Sequence, residues 1–384
     1  MNILYLSDKD PRDTRFGGAQ RTYLIWKALQ EMGNVYSIHF EYRNDNVDLG
    51  DNCWIIGKNR NFSFLKKVAY RVCEKFFNPF FVLHLWPVAP QLNEGLSKTF
   101  PDVKFDVVVC RYFFDFAELH LWNFPKIYVD FDDHPLEMFD SFKGQYVRKW
   151  LKPISRFIIK VQLRFIESKI TGGWIANPEQ VSLFHKKITA LKNVALTPSD
   201  GYCVNKIRKR MLVSVGRMSY YPNYSGVDKF LCEVWPTVRT VYPDIEFVVV
   251  GGGTPVEYVE KWNKIDGVRL TGFVDNLEQL YEDCLATVVP VYSGGGTCIK
   301  TLESLAYSRV CLSTPCGARG LQNYSGERNI GLFQFYNADD FLGLLKKNVL
   351  DDSCRDINEA NAKSFIMENH SIESFKKTVI NTLK

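Results

Sequence analysis

The chain has 384 residues, of which 46% are apolar, 14% aromatic and 24% charged, with a net charge of +5. That composition excludes a disordered or fibrous chain, and the length exceeds what one ordinary hydrophobic core fills, so two domains are expected. The charge excess is confined to residues 1–200, and residues 142–192 hold 11 basic side chains against Glu167 and Glu179 alone.

No window of about 18 uncharged apolar residues offers a membrane-spanning helix. The first apolar run ends at Asp8, Lys9 and Asp10, which is not how a secretory signal reads. The ten cysteines are scattered, with no CxxC pair and no Cys/His spacing that suits zinc. A reducing cytoplasm is the expected setting.

In chain order, residues 2–6 and 35–40 read as strands around a helical pattern at 22–32, followed by strands at 106–109 and 127–131. A polar, basic stretch at 193–209 with Pro198 and Gly201 interrupts the pattern. It restarts with strands at 211–215, 246–250, 268–271, 286–291 and 310–313, and helices at 226–241, 277–284 and 300–307. Strands alternating with helices predict parallel sheets covered on both faces. The expected fold is α/β: two Rossmann-like domains, 1–195 and 210–365, facing each other across a cleft. Residues 366–384 are expected to form a C-terminal helix packing back on the first domain.

Ligands of open parallel sheets bind beyond the carboxyl ends of the strands, so loops that follow strands carry the candidate motifs. The first is Phe16-Gly17-Gly18-Ala19-Gln20-Arg21, where glycines let a ligand approach the backbone and the next helix N-terminus favours an anion. It is not GxGxxG, which argues against a nicotinamide or flavin site. The second places Arg217 just past the strand at 211–215, where a permanently charged planar guanidinium suits a diphosphate. The third is Gly294-Gly295-Gly296-Thr297-Cys298 with Lys300 and Glu303: free amides and a lysine for phosphate, then a carboxylate placed to accept the hydroxyls of a ribose. The plain alternatives are a tight strand–helix turn for the first, a structural arginine for the second, and a glycine-rich turn with a solvated Lys and Glu for the third.

Residues 212–321 resemble the C-terminal domain of glycosyltransferase family 4, retaining enzymes with the GT-B fold. The resemblance rests on Pro222-Asn223 with Gly226, on Trp235-Pro236 and on the Gly294–Glu303 motif. Gly251-Gly252-Gly253, Gly272-Phe273-Val274 and Gly317-Ala318-Arg319-Gly320-Leu321 follow in the same order. It implies a hexosyltransferase-type enzyme moving a sugar from a nucleotide-diphosphate donor to a saccharide or lipid-linked saccharide acceptor, in bacterial surface polysaccharide or glycoconjugate synthesis. Arg217 and Lys300 would then neutralise the leaving diphosphate, where fixed charge lowers the barrier. Gly17, Gly18, Asn223, Phe273, Gly295, Gly296, Thr297 and Glu303 would bind the donor. Gly295 stands where the family often has a glutamate, and Pro222 and Asn223 where it commonly has a lysine. No metal or other cofactor is required, since no Asp-x-Asp stands in a donor loop.

Asp130, Asp132, Asp133 and His134 follow the strand at 127–131 and read either as an acceptor-side base, with Asp130 and His134 favoured, or as loop and cap residues. Arg111 follows the strand before. Residues 63–86 and 147–169 are basic stretches with aromatics at helical spacing, which suits either helices packed on the domain or peripheral contact with the inner face of a cell membrane. Nucleic acid is not an expected partner, as no recognition motif accompanies the charge. Other readings remain: a non-catalytic GT-B subunit that binds nucleotide sugar or stabilises a partner, and a GT-B enzyme of another type, a nucleotide-sugar epimerase or an inverting transferase.

Overall fold

The computed structural model describes residues 1–15, 17–41, 47–57, 89–112, 121, 124–141, 152–196, 208–294, 297–321 and 328–384. The expected membrane stretch 63–86 lies outside the described residues, as do Phe16, Gly295 and Gly296, residues 147–151 of the second basic stretch, and most of the 193–209 connection. The chain divides into unit 1, residues 1–192 with 372–384, and unit 2, residues 193–371.

Unit 1 contains β1 (Asn2–Ser7), β2 (Asn34–Glu41), β3 (Val47–Asp48), β4 (Cys53–Gly57), β5 (Val107–Arg111), β6 (Ile127–Asp130), β7 (Gly172–Ile175) and β8 (Ile188–Ala190). They form one sheet in the order β3-β4-β2-β1-β5-β6-β7-β8, parallel except for the β3–β4 pair. Its helices are α1 (Gly17–Gln30), α2 (Ala89–Thr99), α3 (Pro135–Ser141) and α4 (Lys152–Lys169). Ile3, Leu4, Tyr5 and Leu6 of β1 are fully buried, as a central parallel strand covered on both faces requires. Leu4, Leu6, Val108, Cys110 and Val129 pack with Leu96 of α2 and Leu163 and Ile166 of α4 in one core.

Unit 2 contains β9 (Met211–Val215), β10 (Glu246–Val250), β11 (Val268–Gly272), β12 (Ala286–Val289), β13 (Cys311–Ser313) and β14 (Leu332–Gln334). All six are parallel, in the order β11-β10-β9-β12-β13-β14. Counted from β9, that order is 3-2-1-4-5-6, the doubly wound arrangement whose switch point lies between the first and fourth strands. The helices are α5 (Tyr221–Glu233), α6 (Trp235–Val241), α7 (Val256–Trp262), α8 (Glu278–Asp283), α9 (Ile299–Ala306), α10 (Ala338–Leu345) and α11 (Asp352–Asn369). The last helix of the chain, α12 (Ile372–Leu383), belongs to unit 1, where Phe375, Val379 and Leu383 are buried and α12 packs along α1.

The helix expected over 226–241 is two helices, α5 and α6, broken at Val234. Pro236 has no N–H to give Cys232, and its ring collides with that carbonyl in a continuous helix. Likewise β12 stops at Val289, because Pro290 cannot donate to the ladder.

Candidate active site

In unit 2 the ends of β9, β10 and β11 are joined through glycines. Gly216 N–H donates to the Val250 carbonyl at 2.9 Å and Gly251 N–H to the Gly272 carbonyl at 2.8 Å. Gly251 has φ +137°, and a Cβ on it would stand 1.8 Å from the Gly216 carbonyl oxygen. A side chain is therefore excluded, and the three strand ends form a continuous backbone floor. Gly226 does the same for α5, since a Cβ there would meet the Pro290 carbonyl oxygen at 1.9 Å.

Arg217 follows β9 directly. It is exposed, its Nε donates to Ser219 Oγ at 2.9 Å, and it pairs with no carboxylate among the described residues. Asn223, in the first turn of α5, ties the site together: its Nδ2 donates to the Arg217 carbonyl at 2.8 Å, and its Oδ1 accepts from Lys300 Nζ at 2.5 Å. Lys300, the second residue of α9, is half-buried and also lacks a carboxylate partner among the described residues. Burial pulls its ammonium below the ordinary lysine pKa, against the opposing influence of Cys298 and Glu303. No side chain caps α9 at Cys298 and no acid occupies its first turn, so its amide dipoles add to the lysine charge.

Glu303 lies one turn further along α9. Burial raises its carboxyl, while the hydrogen bond from Tyr281 and the charge of Lys300 oppose that rise. Tyr281 Oη donates to Glu303 Oε2 at 2.9 Å, and its ring stacks on Tyr307 with centroids 4.2 Å apart. Phe273 follows β11 and is 61% exposed. Thr297 is half-buried under Gly320, whose φ of +81° and missing Cβ leave room for it. Arg319 donates from Nη1 to the Gly294 carbonyl. Arg217, Asn223 and Lys300 are thus brought together, with Glu303 beside them on the same helix. Sequence reasoning missed Tyr281 and Arg319 as supports, although Arg319 stood in a noted motif.

In unit 1, Gly17 and Gly18 open α1 beyond β1. The Gly18 carbonyl accepts from Thr22 Oγ1 at 3.0 Å and from Arg111 Nη2 at 3.4 Å. Asp130 is fully buried and does not stand free to act as a base. Arg21 Nε and Nη2 donate to its Oδ2 and Oδ1 at 2.9 and 2.6 Å, and Arg111 Nη1 donates to Oδ2 as well. Burial alone would raise this carboxyl, but the two guanidinium groups hold it below the usual carboxylate value. Sequence reasoning put Asp130 forward as one member of a catalytic pair; the geometry gives it the place of a counter-ion. Tyr112 and Asp132, just past β5 and β6, both have left-handed backbone (φ +68° and +60°), a strain that clusters at functional sites. His134 is buried against the Phe184 ring, apart from this ion cluster, and burial and the charge of Arg156 lower its pKa to about 4.

Three solved structures share this architecture over nearly the whole chain. Sucrose-phosphate synthase of Thermosynechococcus elongatus is 12% identical, covering 99% of this chain and 98% of that one at TM-score 0.67. HepE of Anabaena, solved with UDP and glucose, is 11% identical over 99% and 98% at TM-score 0.65. The E. coli structure titled "Trehalose-6-phosphate", bound with UDP-2-fluoro glucose, is 13% identical over 100% and 99% at TM-score 0.63. At such identities the likeness is one of fold, and that fold is GT-B. Residues 209–343, within unit 2, match the family model described as "Glycosyl transferases group 1". No curated protein matches the sequence.

Proposed function

We propose that the chain is a retaining glycosyltransferase that moves a hexose from a nucleotide-diphosphate donor to a saccharide or lipid-linked saccharide acceptor. The observation that carries this reading is Lys300: a half-buried cation without a carboxylate partner, fixed by Asn223 beside Arg217 at an uncapped helix start. Withdrawing an ammonium partly from water in this way is costly unless an anion meets it. Two phosphates between Arg217, Lys300 and the α9 amides would meet that need, and the same charges would stabilise the diphosphate as it leaves. Glu303, oriented by Tyr281, would take the ribose hydroxyls, and Phe273 would border the base. Gly17 and Gly18 would approach the donor through their backbone.

No metal is required in this scheme, so a chelator leaves turnover unchanged. Among the described residues no helix is long and apolar enough to cross a membrane. The proposed place of work is the inner face of the cell membrane, reached through the basic face of α4, and the proposed pathway is surface polysaccharide or glycoconjugate synthesis.

The experiment is a binding and hydrolysis screen of UDP-, GDP- and ADP-sugars on the purified protein, with Lys300→Ala in parallel. One donor bound and slowly hydrolysed, with both lost in Lys300→Ala, is the expected result. Binding of a nucleotide sugar without hydrolysis or transfer to any acceptor would instead favour a non-catalytic subunit. No binding of any nucleotide sugar would remove the reading.

A further inference from the structure

Unit 1 holds a cavity of about 150 Å³ whose lining includes His134, Arg156, Lys160, Arg164, Glu167 and His185. Two of its polar side chains are buried without satisfaction. His134 is 3% exposed and, among the described residues, neither ring nitrogen has a hydrogen-bond partner. Glu167, also 3% exposed, accepts the His185 N–H through Oε1 at 2.6 Å, while its Oε2 has no partner among the described residues. Buried polar groups are nearly always paired, so a cluster left open calls for a ligand.

The charges define that ligand. Arg156, Lys160 and Arg164 stand at successive i+4 positions of α4 along the rim. Arg156 pairs with Asp140 at 3.0 Å, whereas Lys160 and Arg164 pair with no carboxylate among the described residues. The two carboxylates of the lining, Glu137 and Glu167, are outnumbered by these three cations. A neutral imidazole offers one donor and one acceptor, and the open carboxylate oxygen needs a donor. A phosphate monoester meets this set, because it has a second pKa of about 6 and its monoanion carries both acceptor oxygens and one P–OH. A phosphodiester has no such proton.

Beside the basic row runs an apolar one. Ile154, Phe157 and Val161 are 48%, 66% and 51% exposed on the same helix, with Phe157 and Val161 each next in sequence to a rim cation. Apolar side chains flanked by cations fit an anionic lipid surface.

We propose that this pocket binds the terminal phosphate of an anionic amphiphile, whose hydrocarbon part lies along the apolar row of α4 at the membrane surface. The inference rests on the reading of the chain as a transferase with a lipid-linked acceptor, and it assigns that acceptor a phosphate-bearing head.

The test is flotation of the full chain, without donor, with phosphatidylcholine vesicles that carry phosphatidic acid or, at equal surface charge, phosphatidylglycerol. Phosphatidic acid vesicles should bind about tenfold more tightly, the effect of one or two charge-assisted hydrogen bonds. His134→Leu, which removes two unpaired nitrogens, and the surface double variant Lys160→Ala/Arg164→Ala should each bring that ratio close to one. Phe157→Ser/Val161→Ser should weaken binding to both vesicles alike. Equal binding to the two vesicles, or a ratio unchanged by His134→Leu, overturns the pocket. Binding of glycerol 3-phosphate without vesicle binding overturns the lipid source. Calorimetric titration of nucleotide sugar into the same variants reads the donor site separately: its failure beside an intact vesicle preference strikes the transferase reading, and the reverse pattern strikes this inference alone.

Discussion

Lys300 joins stability and function with opposite signs. Its folded pKa is depressed, so below the ordinary lysine value the folded chain holds this proton less readily than the unfolded chain, and the charged form costs stability. Lys300→Met should therefore raise the melting temperature of the ligand-free protein while abolishing nucleotide-sugar binding; a lower melting temperature would contradict the assignment. Donor affinity should fall as pH rises through the depressed Lys300 pKa, with proton uptake on binding in that range, measurable by calorimetry in buffers of different ionisation enthalpy. Asp130 behaves in the opposite way. Asp130→Asn leaves two buried guanidinium groups short of their counter-charge and should cost about 3–5 kcal/mol in chemical denaturation. His134 adds an acid-side term, since its folded pKa of about 4 lies below the unfolded value. Its contribution to stability is present above about pH 6.5 and is lost as pH falls toward 4, because the unfolded chain takes up the proton first. His134→Leu should flatten the stability curve over that window.

At the scale of elements, Gly226 and Gly251 of unit 2 are structural necessities, since a Cβ on either would meet a carbonyl oxygen. Gly251→Ala sets a side chain against the Gly216 carbonyl in left-handed backbone, and should destabilise unit 2 by about 2–3 kcal/mol and weaken donor binding together. Much of the site at this scale was legible in the sequence. Arg217 closely follows β9, and Lys300 and Glu303 lie on α9, the helix after β12, as the strand-then-helix pattern led one to expect of candidate site residues. What the sequence concealed were contacts between distant positions. Tyr281 reaches Glu303 across 22 residues and Lys300 reaches Asn223 across 77, and neither pair shares a local pattern. Asp130 misled for the same reason, since its charge on a strand end is visible but Arg21, 109 residues earlier, is not. β7 escaped because it begins with two glycines. A Cβ on Gly173 would meet the Val129 carbonyl oxygen at 2.2 Å, so close strand packing erased the β-branched signature that marks a strand.

At the scale of the molecule, each unit has its own core, but only unit 2 is continuous in sequence. The fragment 193–371 should fold alone with a cooperative melt and retain nucleotide binding, a test independent of any acceptor. The fragment 1–192 should fare worse, because Phe375, Val379 and Leu383 of α12 are missing from α1, as is the Lys376–Glu31 ion pair at 2.8 Å. Adding a peptide of residues 372–384 in trans should raise its melting temperature. The two-domain order of the sheets followed from alternating strand and helix patterns. The chain end is expected as one helix over 366–384; the structure instead ends α11 at Asn369 and starts α12 at Ile372, and α12 returns to pack along α1.

That return sets an order of events on the ribosome. Unit 1 is made first but cannot close over α1 until the final 13 residues emerge, after the roughly 180 residues of unit 2. At about 5–20 residues per second the wait is on the order of 10–40 s, during which α1 lacks the helix that packs along it. The segment made second is thus expected to complete its core first, with unit 1 closing only after the chain end joins it.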